Sequence, residues 1–327
     1  MIDENHIVSL LRRRFGGRGA ELIRGIGDDA AVLRPRGSRE YWVVTTDMLL
    51  EDVDFRRSWL TPAQLGHKAL AVNLSDLAAM GARPRFYTVA LALPADLGEA
   101  WIEALYRGMS KLARRQGALL IGGDLSRSPF GVQVTITAIG TASKPMYRSG
   151  GRPGDILYVT GSLGKAAAGL ALLRRGRVQG RCLSERRALK AQRTPDPRCE
   201  VGAWLAGSGF ARCMMDLSDG ISMDLPRLCE ASGVGAEIFS EQLPMYPDSS
   251  GWQCDPVALA LHGGEDFELL FAVPARKAER FEEAYPPGFP PLSRIGYLRR
   301  ARGIVWAPRS GTAPQPLNAA GFDHFRI

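Results

Sequence analysis

Aspartates recur along this chain where apolar runs end: GIGDDAAVL (Asp28, Asp29), VVTTDMLL (Asp47), NLSDLAAMG (Asp76), LLIGGDLS (Asp124) and MMDLSDGIS (Asp216, Asp219). A carboxylate among apolar residues is costly to desolvate unless a cation pairs with it. No Lys or Arg stands inside any of these strings, so the positive charge is expected from outside the chain. Hard divalent metals such as Mg²⁺ prefer carboxylate oxygens and commonly arrive with phosphates. The pattern points first to nucleotide-dependent phosphoryl transfer.

At 327 residues the chain exceeds what one hydrophobic core usually serves, so two domains are expected. Apolar runs of strand length alternate with segments of helical period. YWVVTT, RFYTVALALP, ALLIG and VQVTITAIG read as strands; Thr61-Pro62 opens a long helix ending at Gly81, and a second helix spans Glu99 to Gln116. The Pro-, Gly- and Ser-rich stretch TASKPMYRSGGRPGD is the expected junction, dividing the chain into domains 1–145 and 146–327. Beyond it come the strand ILYVTG, a helix through AAAGLALLRR, a strand ending MMD, a helix through LPRLCEAS and the strand FELLFAV. The fold class is mixed α/β.

No apolar stretch reaches the ~18–20 residues of a membrane span, and MIDENHIVSLLRRRFGG lacks the apolar core of a secretory signal. It reads as the first amphipathic helix of a cytoplasmic protein. The five cysteines (Cys182, Cys199, Cys213, Cys229, Cys254) form no CxxC pair and are expected to be reduced thiols. The net charge of +8 comes mostly from arginines scattered along the chain, without the aromatic interleaving of a nucleic-acid surface. Neither nucleic acid nor membrane is an expected partner.

Several acidic positions also have plain structural uses. Asp28 and Asp29 after Gly25-Ile26-Gly27 suit a tight turn, Asp219 suits a helix cap, and Asp124 after a glycine pair suits a loop. Asp76 is harder to accommodate, because it falls in the last turn before Gly81, where the helix dipole disfavours a carboxylate. Its neighbours Leu74, Leu77, Ala78, Ala79 and Met80 are apolar. GSLGKAAAG lacks the GxxxxGK[ST] spacing of a phosphate loop. HRD, DFG, GxSxG and HExxH strings are absent as well, which argues against protein-kinase, α/β-hydrolase and zinc-hydrolase chemistry.

The strings GIGDDAAVL, VVTTDMLLEDVDF, HKALAVNLSDLAAMGARP, LLIGGDLSR, YRSGGRPGD, LYVTGSLG, MDLSDGISMDL, GGEDFELLF and GFDHF occur in the order that identifies the thiamine-monophosphate kinase family, within the aminoimidazole ribonucleotide synthetase superfamily. The resemblance runs from about Gly25 to Phe325. It implies ATP- and Mg²⁺-dependent phosphorylation of thiamine monophosphate to thiamine diphosphate. It also implies a homodimer whose N-terminal sheets join into a barrel, each C-terminal α/β layer domain closing the nucleotide cleft. By resemblance, Asp29, Thr45, Thr46, Asp47, Asp76, Asp124, Asp216 and Asp219 are metal ligands. Gly123, Arg148 and Ser218 contact the nucleotide, while Asp54, Glu265 and Phe322 lie near the substrate. Asp54 departs from the pattern, since a His commonly stands there. Two readings compete: a synthetase-type relative acting on an amide or formyl oxygen, and a non-catalytic metal-stabilised module. GGEDFE with the terminal GFDHF speaks against the first, and ATP turnover would separate off the second.

Overall fold

The computed structural model describes residues 4–246, 255–307 and 313–322. Helix α1 (Glu4–Phe15) precedes β1 (Leu22–Arg24), β2 (Ala31–Leu33), β3 (Tyr41–Leu50), α2 (Pro62–Ala79), β4 (Arg83–Leu93), α3 (Glu99–Gln116), β5 (Leu119–Arg127) and β6 (Gln133–Ala142). The strands form one sheet in the order β1-β2-β3-β6-β4-β5, antiparallel except for the parallel β4–β5 pair. The second half holds β7 (Asp155–Thr160), α4 (Lys165–Arg174), α5 (Leu183–Arg193), α6 (Cys199–Ser208), β8 (Cys213–Asp216), α7 (Ile221–Ser232) and β9 (Gly235–Phe239). Then come α8 (Pro256–His262), β10 (Leu269–Pro274), α9 (Ala278–Ala284), β11 (Leu292–Arg299), β12 (Ile304–Ala307) and β13 (Gln315–Pro316). Their sheet runs β13-β12-β9-β11-β7-β10-β8.

Helix α2 carries the architecture. Thr61 caps it in a reciprocal box with Gln64, and Pro62 occupies the first turn, where its missing N–H costs nothing. Most of its length is buried, as expected of a helix without a polar face. It lies on β3 and β6, with α3 and α6 alongside. The approach to its neighbours is so close that a Cβ at Gly108 or Gly202 would strike the carbonyls of Ala63 or Ala78. Strands β7 and β10 alternate across the second sheet: Tyr158, Leu269 and Phe271 join a core continuous with Val43, Leu74 and Tyr87 of the first half, whereas Leu157, Val159 and Leu270 face a second core with Ile221 and Leu225. Both faces of these strands are therefore apolar, and the first core is shared between the two domains.

Two features differ from the sequence reading and a third bears it out. The expected short strand ALLIG continues through Gly123 and Asp124 to Arg127, so Asp124 is a strand residue rather than a loop residue. Helices α5 and α6 were not anticipated; α5, LSERRALKAQR, has only a narrow apolar face and takes its order from packing on α4. In keeping with its missing phosphate-loop spacing, the start of α4 at GSLGK is occupied by the chain's own Asp266, which accepts from the Gly164 and Ala166 amides at 2.6 and 3.0 Å. Burial pushes that carboxyl up to about 7. Cys182, Cys199, Cys213 and Cys229 are free thiols; Cys254 and the terminal Asp323-His324-Phe325 lie outside the described residues. Among the described residues, no helix is long and apolar enough to cross a membrane.

Candidate active site

A cavity of about 900 Å³ opens where the two domains meet. Its walls come from the β1–β2 loop, the middle of β3, the end of α2, the interdomain segment, the β8–α7 turn and the α8–β10 loop. Carboxylate oxygens of Asp29, Asp76 and Asp216 lie within 4.8 Å of one another. They arrive from a loop, a helix end and a strand end that are far apart in sequence.

Buried polar groups fix this cluster. Thr45 donates its hydroxyl to Asp76 Oδ2 at 2.5 Å, and Ser75 donates to Asp216 Oδ2 at 2.6 Å. Asn73 Oδ1 accepts the Asp47 amide at 3.0 Å. Thr46 points to the opposite face of the sheet, its Oγ1 2.9 Å from Thr137 Oγ1.

The electrostatics show how little compensation some of these groups have. Burial, with repulsion from Asp47 and Asp216, holds the Asp76 carboxyl well above the ordinary carboxylate range. Burial likewise raises Asp47 to about 6 and, with repulsion from Asp29, Asp216 to about 7. Among the described residues Asp76 has no ion pair, and Asp29 Oδ2 is buried without a hydrogen-bond partner. An orphaned acceptor inside an under-neutralised set of hard oxygen donors fits a divalent cation such as Mg²⁺.

The expectation that all positive charge comes from outside the chain is corrected at the rim. Arg148 places Nη2 and Nε at 2.5 and 2.9 Å from Asp29 Oδ1 and lines the cavity, so it is not a surface-loop arginine. Arg24 pairs with Asp28 at 3.2 Å, whose carboxyl burial raises to about 6. Arg227 lies 2.5 Å from Asp219 and 2.9 Å from Asp224. These arginines stand far from the aspartates in sequence or, for Arg24 and Arg227, just outside the quoted strings, so string-by-string reading could not pair them.

The other expected site residues divide clearly. Ser218, Asp54, Glu265 and Phe322 line the same cavity. Asp54 accepts the Leu50 amide at 2.8 Å, Glu265 adopts a positive φ of 67°, and the Phe322 amide donates to the Asp219 carbonyl at 3.4 Å. Gly123 and Asp124 do not line it. Asp47, Ile136, Val89 and Gly123 stand in one row across β3, β6, β4 and β5. Three strand spacings of ~4.8 Å put Gly123 roughly 14 Å from Asp47. Asp124, paired beside Ala90 in the next row, projects from the opposite face of the sheet to Asp47.

Residue-by-residue reading missed Lys68, Asn73 and Ser75 on α2, Gln192 on α5 and Arg227 on α7. The α2 positions did leave a signal, because HKALAVNLSDLAAMG places polar residues all round an otherwise apolar helix. Gln192 left none.

Residues 27–142 match the family "AIR synthase related protein, N-terminal domain", and residues 152–305 match "AIR synthase related protein, C-terminal domain". The chain belongs to this family of two-domain proteins. Thiamine-monophosphate kinase of Bacillus subtilis is 37% identical over 307 residues, 92% of this chain and 93% of the relative. That of Escherichia coli K12 is 37% identical over 304 residues, covering 92% and 91%. Within the family, the chain is a member of the thiamine-monophosphate kinases. A solved structure described as AaThiL complexed with AMPPCP and TMP superposes with a TM-score of 0.85 at 29% identity, covering 99% of this chain and 97% of that one. Thiamine-monophosphate kinase from Stenotrophomonas maltophilia K279a gives 0.77 at 34% identity, covering 93% and 96%.

Proposed function

We propose that this protein transfers the γ-phosphoryl group of ATP to thiamine monophosphate, forming thiamine diphosphate and ADP, with Mg²⁺ held by Asp29, Asp76 and Asp216. The observation that carries the metal assignment is the Asp29–Asp76–Asp216 cluster with its orphaned Asp29 oxygen. Thr45, Asp47 and Asp219 extend the donor set along the cavity wall, which Thr46 also lines with its hydroxyl turned to the other face of β3. When bound, Mg²⁺ neutralises the repulsion between two phosphate-bearing reactants and orients their oxygens.

The chain's own groups then position the reactants. The attacking group is a phosphate oxygen of the monophosphate, already ionised near neutral pH; the P–O bond formed to the γ-phosphorus replaces the bond to the β–γ bridging oxygen, and ADP carries away that electron pair. No side chain need remove a proton, which accords with a site rich in carboxylates in which no histidine lines the cavity among the described residues. Arg148, 20% exposed at its side chain, stands beside the cluster with a planar guanidinium suited to phosphate oxygens. Ser218 lies with it on the nucleotide side, while Asp54, Glu265 and Phe322 form the thiamine end. The deciding assay follows thiamine diphosphate chromatographically with ATP, Mg²⁺ and thiamine monophosphate. Metal-dependent product is expected. Absence of product under conditions where ATP binds would move the substrate elsewhere in the superfamily.

Strand β5 supports a homodimer. It is a long edge strand exposing Leu119, Leu120, Ile121 and Leu125, the last 67% exposed. Exposed flat edges of this kind invite strand pairing, and burying each such side chain contributes about 1.5–3 kcal/mol. Pairing through β5 would join two N-terminal sheets toward the barrel that the resemblance implies. It would also bring Gly123 and Asp124 of one copy toward the other copy's cavity, which they cannot reach within their own chain. Leu125→Asp should shift the protein from dimer to monomer in analytical ultracentrifugation and lower turnover with it; an unchanged dimer would remove β5 from the interface. The free thiols support a reducing, cytoplasmic setting.

A further inference from the structure

Glu265 is gripped by two residues that no comparison assigns. Lys68, on α2 and 1% exposed at its side chain, places Nζ 2.5 Å from Glu265 Oε1. Gln192, on α5 and 3% exposed, donates Nε2 to Glu265 Oε2 at 2.5 Å. The three residues come from three elements, and the Glu265 backbone adopts a left-handed conformation rare for a residue with a side chain. Its amide is tied to the Ser218 carbonyl at 2.7 Å.

The chemistry of this grip fixes the orientation of the amide. An ionised carboxylate only accepts hydrogen bonds, so the –NH₂ of Gln192 must face Glu265 and the carbonyl must point away. That carbonyl, Oε1, is buried and has no hydrogen-bond partner among the described residues. Gln192 also lines the cavity, as Glu265 does. A buried acceptor left unmade is costly, on the order of 1–3 kcal/mol. The Lys68 ammonium and the Gln192 amide each direct an N–H to the carboxylate. The buried acceptor left for a ligand is Gln192 Oε1, beside the lone pairs left on Glu265.

We infer that Gln192 is a specificity-determining residue, whose carboxamide oxygen accepts a hydrogen bond from an amino group on the heteroaromatic ring of the substrate, with Lys68 acting as the positioning residue that orients Glu265 and, through it, Gln192. This rests on the reading of the Glu265 end as the thiamine end. Thiamine carries such an exocyclic amine on its pyrimidine. A ring bearing a carbonyl at that position would set acceptor against acceptor and leave Oε1 unpaired. Sites built to hydrogen-bond a substrate N–H discriminate strongly against analogues that lack it.

The test uses the full-length protein with thiamine monophosphate and its 4-oxo analogue, in which the pyrimidine amine is replaced by oxygen, and compares Gln192→Leu with the parent. The parent should favour the amino substrate by on the order of 10- to 100-fold in kcat/KM. Gln192→Leu should lose most of that preference, mainly through KM for the monophosphate, with KM for ATP unchanged. Gln192→Met, unbranched and of similar length, controls for packing and should lose the preference as Leu does; a Met variant that keeps it would overturn the inference. Equal use of both substrates by the parent would overturn the inference, as would a Leu variant that keeps the parent's preference. Failure of the parent to phosphorylate thiamine monophosphate at all would instead strike the proposed function. If the Leu variant unfolds, protection of the parent against thermal unfolding by each compound gives the same comparison, and equal protection overturns the inference.

Discussion

At one end of the cavity Asp76 is buried with no ion pair among the described residues, its carboxyl held well above the ordinary range by burial and by Asp47. At the other end Glu265 carries Lys68 on one oxygen and Gln192 on the other. Both carboxylates are tied to helix α2, Asp76 by standing on it and Glu265 through Lys68, and both line one pocket, yet one is left short of positive charge and the other holds a lysine. The first arrangement favours either a retained proton or an incoming cation. The second already holds a cation from the chain and presents the unpaired Gln192 oxygen to a ligand. On the proposed function, the contrast separates a place for a metal from a place for an organic ring.

The largest expected effect breaks the first end. Asp76→Asn should lower Mg²⁺-dependent turnover by roughly a thousand-fold, at the upper end of what removing one preorganised electrostatic group costs. It should raise the melting temperature of the metal-free protein, because a buried like charge is gone. Substantial residual activity would take Asp76 out of the metal site. Lys68→Met strikes the other end and should raise KM for the thiamine substrate about ten-fold while leaving the Mg²⁺ dependence alone; a changed metal requirement would show that the two ends are not separable.

A smaller effect should appear in the pH dependence of stability. The Asp47 and Asp216 carboxyls, raised by burial to about 6 and about 7, keep protons that the unfolded chain loses near its ordinary value of about 4. Between these limits the folded state binds more protons than the unfolded one, so metal-free stability falls as pH rises from about 4 to about 7. Thermal melts should show this loss without metal and show it reversed by added Mg²⁺. A flat profile without metal would contradict the charge-deficient description. The smallest effect belongs to Phe322, 44% exposed: Phe322→Ala should raise KM for the thiamine substrate a few-fold more than KM for ATP, and equal changes would argue against an aromatic contact with the thiamine rings.

What the sequence disclosed follows from how local each signal was. Asp76 was legible because its position in the last helical turn and its apolar neighbours are both local facts, and the capped start of α2 at Thr61-Pro62 was legible for the same reason. The strand alternation of β3 and β6 and the interdomain glycine-rich segment were local too. Arg148 on Asp29 and Gln192 on Glu265 are long-range pairings with no trace in spacing. Asp124 needed the sheet order: only the row running from Asp47 to Gly123 shows that the two sites lie on different strands and faces. At the GSLGK turn the missing phosphate-loop spacing was itself a local signal, and the fold adds Asp266 on its amides.

The most direct test of the metal assignment is a crystal of the protein grown with Mn²⁺ and a non-hydrolysable ATP analogue, measured for anomalous scattering. The structure predicts a strong anomalous peak among the carboxylates of Asp29, Asp76 and Asp216, lost in Asp76→Asn. A map with Mn²⁺ bound to the nucleotide phosphates but no peak at these three aspartates would contradict it.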